Sequence, residues 1–487
     1  MVDSTSATAA KPGHHGKVIA ASVSAAVGAF LFGFDSAVIN GAVDALGSHF
    51  QLQAFLKGFA VAIALLGCAV GAWYAGQLAD RIGRKKVMVL GAVLFFASSL
   101  GAGLAVSVWD LMFWRVIGGL GIGIASVISP AYISEVAPAR MRGALTSIHQ
   151  LAITIGIFAA LLSDDVLQRS AGGPSAALWF GEPAWRWMFI VGVVPSVVYG
   201  ILAVLIPESP RYLVRARKDD EARRVLRVVV GEPDPDSKVS EIRESLHEED
   251  RTSFADIAGP RFGLKPLVWV GICLAVLQQF VGINAIFYYS TTLWHSVGFS
   301  TAQSFETSVI TAIINVVLTF VAIIWVDRFG RRRLLLVGSV GMLVGLGLAS
   351  VSFFHQIGSG DKVSLPEPWG FVALVGANLF VIFFAATWGP VVWVLLGEMF
   401  PNSMRAYALA IGASANWIAN FIVSFSFPYL AQNVGLGYIY GAYAAFAIIS
   451  FFFVLTKIPE TKGQELEHMQ GETHARRRRT EATAGPA

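Results

Sequence analysis

Asp35 and Arg115 are ionisable side chains set inside long apolar stretches, FLFGFDSAV around the acid and WRVIGGLGIG around the base. A charge in such surroundings is costly, and is kept where it meets a partner or a polar path. If both stretches are membrane-crossing helices, the first entered near Lys17 from inside and the other near Trp109 from outside, the depths can be compared. Asp35 lies about 10 Å and Arg115 about 9 Å below the same outer face, at about 1.5 Å per residue. Opposite charges at matching depth make an ion pair feasible, and either one left unpaired would be expensive. Two roles fit. One is a static pair holding two helices together. The other is a proton switch, since moving the base relative to the acid changes how tightly the acid holds a proton.

A second set of residues is neutral and suited to hydroxyl groups. The apolar stretches contain the amides Gln150, Gln278, Gln279, Asn284, Asn315 and Asn416, with Trp388 and Trp417 as aromatic faces. Sugar recognition needs such paired donors and acceptors, plus a flat apolar surface for the C–H side of the ring. A single amide in a bundle more often joins two helices by a hydrogen bond, and Asn315 suits that reading best. The set as a whole points to a polar cavity.

A third set lies in short polar connections. GQLADRIGRKK (Gly76 to Lys86) reappears as VDRFGRRR (Val326 to Arg333), and SEVAPARMRG reappears as GEMFPNSMRA. The repeated positions are Asp80 and Asp327, Arg81 and Arg328, Arg84 and Arg331, Glu135 and Glu398, Arg142 and Arg405. Acids and bases recurring at one mouth of a bundle could latch it shut in one state and separate in the other. One such loop alone would read as charge anchoring; the doubled pattern favours a gate.

The elements that position these residues follow from composition. The chain is 55% hydrophobic and only 14% charged, with a mean hydropathy of +0.63. Soluble domains carry about 25% charged residues. Apolar segments of about 20 residues match the bilayer core. Twelve are read, at about 17–41, 55–79, 87–106, 109–134, 144–163, 185–206, 266–291, 305–326, 333–355, 369–397, 405–431 and 437–457. The period-2 alternation of a β-barrel is missing, and span 1 lacks the small-residue cleavage site of a signal peptide.

The fold class expected is all-α, with twelve spans in two six-helix bundles. The divisions are an N-terminal tail 1–16, a bundle 17–206, a cytoplasmic helical linker 207–265, a bundle 266–457 and a tail 458–487. With both termini inside, only Lys57, Arg169, Arg186 and Lys362 of the 36 Lys and Arg fall outside, and Arg115 lies in a span. That bias orients the chain. It also makes the net charge of +4 a matter of topology, with no reason to infer nucleic-acid binding. The run Arg476 to Arg479 suits anionic lipid. Cys68 and Cys273, both in spans, are expected to be buried thiols.

On these residues the chain resembles the sugar porters of the major facilitator superfamily. The resemblance rests on the two DRxGR loops, PESPRYL (Pro207 to Leu213), PETKG (Pro459 to Gly463), QQFVGIN (Gln278 to Asn284) and WGPVVWVLLGEMFP (Trp388 to Pro401). It covers nearly all of 17–463. It implies a carrier working by alternating access in the cell membrane, with a monosaccharide and protons as its partners and no cofactor or metal.

The resemblance also assigns residues. Asp35 and Arg115 match the coupling pair of bacterial xylose–proton symporters, where facilitative glucose transporters have an amide for the acid. Gln150, Gln278, Gln279, Asn284, Trp388 and Asn416 match sugar-contacting positions. Ile157 stands where the xylose symporter has a second glutamine, which favours glucose. Tyr288 and Tyr289 match an outer gate, with aromatic packing as the alternative. A facilitative uniporter, a pentose symporter, an organic-acid carrier and a membrane sensor remain as competing readings. The 24 residues after Gly463 are short for a signalling tail, and an anion carrier would want more cations in the pocket. The chain carries no P-loop, zinc cluster or triad pattern, so an enzyme is not expected.

Overall fold

Twelve helical spans form the structure, a computed structural model that describes residues 12–138, 141–249, 257–260, 263–357, 364–401 and 404–460. The side chains of Arg142 and Asp327, two of the expected gate residues, lie outside what is described, as does the run Arg476 to Arg479.

Nine spans are single helices or nearly so: Ala54–Ile82 (span 2), Arg84–Gly103 (span 3), Val108–Val136 (span 4), Arg142–Ala171 (span 5), Ala184–Val191 with Val193–Leu205 (span 6), Thr301–Phe329 (span 8), Arg331–Phe354 (span 9), Arg405–Asn433 (span 11) and Leu436–Lys457 (span 12). The other three are interrupted, which average hydropathy could not reveal. Span 1 divides at Val38 into Pro12–Ala37 and Ile39–His49. Span 7 divides into Pro266–Phe280 and Ile283–Ser296 at Gly282, whose φ is 86°. Span 10 passes through a π-helical turn, Phe384–Trp388, before Gly389–Met399. Such turns loosen the backbone bonding and frequently mark functional sites. Span 5 outruns its expected end at 163 by a further two turns.

The same packing partners recur in the two halves. Span 1 lies on span 5 as span 7 lies on span 11, span 3 on span 6 as span 9 on span 12, and span 3 on span 4 as span 9 on span 10. This is the architecture a duplicated six-helix unit produces. Large apolar side chains such as Val93, Phe96, Phe320, Val344 and Phe452 stand exposed on the outer helix faces, where a bilayer would cover them. Cys68 is buried, but Cys273 is exposed, against expectation. It occupies a position on span 7 that faces away from the bundle, so apolar surroundings did not mean an interior place.

Between the halves, Pro210–Arg215, Asp219–Val225 and Pro235–Glu249 make a small helical insert with its own apolar centre of Leu213, Val214, Ala222, Leu226, Val239 and Leu246. Ser209 caps the first of these helices, accepting from the backbone N–H of Arg211 at 3.1 Å. The end of the bundle that bears this insert is the insert end below; the other is the far end.

The halves meet through span 2 on span 11 and span 5 on span 8. Named contacts run from mid-bundle to the far end. Phe32 packs on Trp417 with ring centroids 5.3 Å apart, Phe55 on Phe425 at 4.9 Å, and Arg169 pairs with Glu306 at 3.6 Å.

Candidate functional site

The structure brings Asp35 and Arg115 together. Arg115 Nη1 donates to Asp35 Oδ2 at 3.3 Å and to the Asp35 carbonyl at 3.1 Å. Both side chains are buried, 8% and 3% exposed. A pair so placed is hard to break by removing one partner, which costs on the order of 3–5 kcal/mol. Next to it lies an internal void of about 10 Å³, lined by Ser36, Arg115 and Tyr288 among others. That is room for about one water molecule. Tyr288 comes from the other half of the chain, so the charged pair sits at the seam between halves.

The amides assemble mainly in the C-terminal half. Gln278 Nε2 donates to the carbonyls of Trp388 and Gly389 at 2.9 and 3.2 Å, at the junction between the π-helical turn and Pro390. Its Oε1 accepts from Asn416 Nδ2 at 2.9 Å. Asn416 Oδ1 accepts in turn from Gln279 Nε2 at 3.2 Å, and Gln279 Oε1 accepts from Asn284 Nδ2 at 2.5 Å. Four side chains from spans 7 and 11 thus form one hydrogen-bonded chain about 18 Å from the insert end of span 7, at about 1.5 Å per residue. Both amide hydrogens of Gln278 are used by carbonyls. Asn284 keeps its oxygen for another donor, and is half-buried.

The remaining expected contacts are distributed around this chain. Trp388 is fully buried, its indole N–H bonded to the Leu335 carbonyl at 3.0 Å and Ser339 Oγ at 3.1 Å. Trp417 lies at the seam against Phe32. Gln150 is half-buried on span 5 of the opposite half, and Asn315 is buried on span 8.

The two tyrosines separate in role. Tyr289 donates to the Ser424 carbonyl at 2.8 Å and stacks on Phe427 at 5.2 Å, so it is fixed within its own half. Tyr288 accepts from Asn420 at 3.4 Å and faces Arg115 across the void.

At the insert end the doubled motif becomes a doubled geometry. Arg84 forks onto Glu135, Nε at 3.2 Å and Nη2 at 3.0 Å, and also reaches Asp80 at 2.9 Å. Arg331 forks onto Glu398 at 3.1 and 2.8 Å. Paired N–H to carboxylate bonds of this kind are strong and directional. Asp80 also takes Arg215 of the insert at 2.6 Å. Arg81 and Arg328 are exposed. Arg405 donates to the Phe400 carbonyl at 3.1 Å. Each fork joins helices of a single half, so it stiffens that half and does not itself bridge the two.

Sequence reasoning missed three groups here. Glu208 of PESPR accepts from the backbone N–H groups of Arg84 and Lys85 at 3.0 and 3.2 Å, and Glu460 of PETKG accepts from those of Arg331 and Arg332 at 2.9 and 3.2 Å. Both carboxylates cap a helix start, where N–H groups are free and negative charge is favoured. Gly83 and Gly330, with φ of 97° and 88°, make the turns, and a Cβ on either would run into the capping carboxylate. The recurrence of Pro-Glu-Ser/Thr after spans 6 and 12 was the available signal. Ser209 also bonds Glu135 directly. At the far end, Asn40 and the segment Ser290–Thr291 had no signal beyond being polar residues in apolar helices.

A family model described as sugar (and other) transporter matches residues 21–472. The chain belongs to that family. The transporter is 53% identical over 446 residues to a glucose transport protein of Synechocystis sp., covering 91% of this chain and 95% of that one. It is 35% identical to the D-xylose-proton symporter of Escherichia coli K12, covering 94% and 96%. Among solved structures, the partially occluded inward open conformation of the E. coli xylose transporter XylE superposes with a TM-score of 0.80 at 34% identity, covering 92% of this chain and all of that one. The transporter is accordingly a multi-pass membrane carrier, and not an enzyme.

Proposed function

We propose that this transporter imports a monosaccharide, glucose or a similar hexose, by proton symport through alternating access. The observation that carries the coupling is the buried Asp35–Arg115 pair at 3.3 Å beside a seam residue, Tyr288, of the opposite half. A proton on Asp35 weakens the ion pair and frees Arg115 to move, so proton binding and the relative position of the halves are linked. The amide chain from Gln278 to Asn284 supplies neutral groups for sugar hydroxyls, with Trp388 and Trp417 near it. Hexose is favoured by the 53% identical relative named a glucose transport protein, and by Ile157. The relative named a D-xylose-proton symporter supports the proton and keeps a pentose as the second reading.

The arrangement fits a state facing the insert end. Among the described residues, the named contacts between the halves lie from mid-bundle to the far end, and the insert end is read as cytoplasmic from its basic residues. The cell membrane is the proposed location, with both termini on the cytoplasmic side.

The test is uptake of labelled sugars into proteoliposomes with and without an imposed proton gradient. Glucose should accumulate only with the gradient. Equal uptake under both conditions makes the protein a uniporter, and accumulation of xylose but not glucose reassigns the sugar.

A further inference from the structure

Asp164 is a carboxylic acid to which the transport reading gives no task. It lies in span 5 and is 0% exposed. Its Oδ2 accepts the Gly41 backbone N–H at 3.3 Å, a long bond, while Oδ1 is a buried oxygen with no partner among the described residues.

The charged groups on the surrounding elements are committed elsewhere. On span 5 itself, Asp165 takes Gln168 at 3.1 Å and Arg169 at 2.8 Å, and Arg169 also meets Glu306 of span 8 at 3.6 Å. On span 1, Asp44 holds Lys57 of span 2 at 2.5 Å, His49 packs on Phe50 and Trp185, and Asp35 is paired with Arg115 of span 4. On span 6, Arg186 pairs with Glu182 at 3.1 Å. Fully buried and with no cation paired to it among the described residues, a carboxylate in that position neutralises.

We infer that Asp164 is a second proton-binding site, occupied while the far end is closed and emptied to water as that end opens. The geometry links it to closure. A Cβ on Gly41 would stand 2.6 Å from Asp164 Oδ2 and 2.7 Å from its Cβ, so the carboxyl presses directly on the backbone of span 1 beyond its break. The neighbouring residue, Asn40, donates to Ser290 Oγ at 2.8 Å and accepts from the Thr291 backbone N–H at 3.1 Å, both in the opposite half. One helical turn therefore touches the acid on one side and the other half on the other. A neutral carboxyl lets that turn seat; a charged one draws in water and unseats it. The reading depends on the family's alternating access, and not on which sugar is carried.

The test uses the full chain in lipid nanodiscs with Cys68 and Cys273 replaced and a single reporter, Thr292→Cys, whose position faces Asp44 across the seam. Thiol labelling is followed from acid to alkaline pH without sugar. In an Asp35→Asn background the labelling rate, taken as a ratio to the Asp35→Asn/Asp164→Asn protein, should still rise through one titration step. A flat ratio overturns the proposal. Infrared spectroscopy provides a check that does not depend on gating: the Asp35→Asn protein should show a protonated-carboxyl band that Asp164→Asn removes. A band whose intensity is unchanged in the double variant, or that is missing from both proteins, means that Asp164 is not protonated and the site does not exist.

Discussion

Thr291 donates its backbone N–H to Asn40 Oδ1 at 3.1 Å and its hydroxyl to the Asn40 carbonyl at 2.7 Å, across 251 positions of sequence. Two residues before Thr291, span 7 leaves helical geometry at Tyr289, with φ −130° and ψ 16°. Asn40 is fully buried, and its Oδ1 also accepts from the Thr291 hydroxyl at 3.0 Å. The latch exists only while the halves touch at the far end.

Asn40→Ala should therefore favour opening of that end. It removes the side-chain bonds to Ser290 and Thr291, each about 1 kcal/mol, so the opening equilibrium should shift by roughly thirtyfold. Labelling of a single cysteine at the far end should speed up by that order. An unchanged rate removes Asn40 from the gate.

Gly83→Ala tests the insert-end turns. The substitution meets an unfavourable positive φ and displaces the Glu208 carboxylate from the Arg84 and Lys85 N–H groups. The loss should be roughly 2–3 kcal/mol, read as a lower melting temperature in detergent. Gly330→Ala, set against Glu460, should behave alike, and a large difference between the two would undo the equivalence drawn between the halves.

Gln279→Ala and Asn284→Ala test the pocket. Each should weaken sugar binding by about 1 kcal/mol, or roughly fivefold, with the fold retained. The two side chains are bonded to each other at 2.5 Å, so the double variant should lose less than the sum. Calorimetry measures this; unchanged affinity in both single variants places the sugar elsewhere.

How much of this was legible depended on the kind of residue. The Asp35–Arg115 pair stood out because charges are rare in apolar runs, and depth alone aligned them. Asp164 was hidden for the opposite reason. The apolar run of span 5 ends at Ser163, so Asp164 and Asp165 looked like the membrane boundary, although the helix continues to Ala171. The doubled loops were legible as a repeat but not in their bonding. Glu135 and Glu398 could be read as acids with bases near them at one mouth, but nothing in the sequence singled out Arg84 and Arg331, on another loop, as the partners that reach them. For the amides, identity could be read but not order. An amide bonds equally to another amide or to a carbonyl, and only the break in span 10 turned Gln278 toward Trp388 and Gly389.

Asp35→Asn separates coupling from carriage with one atom's change. The variant keeps an oxygen for Arg115 Nη1, now at 3.3 Å from Oδ2, and leaves the second bond, to the Asp35 carbonyl at 3.1 Å, untouched. The seam should stay packed, and Arg115, facing a neutral side chain, should be as free to move as it is beside the protonated acid. What disappears is the group that takes up and releases a proton. Sugar binding and exchange between equal concentrations need only the pocket and the movement of the halves, so both should survive in proteoliposomes. Accumulation needs a second gradient tied to the same cycle, and it should be lost. The parent should acidify the vesicle lumen as glucose enters, while the variant should not. If the variant still concentrates glucose under a proton gradient alone, Asp35 is not the coupling acid, and Asp164 becomes the next carboxyl to neutralise. If the parent moves no protons with the sugar, the pair at 3.3 Å is a structural clamp and the carrier is facilitative.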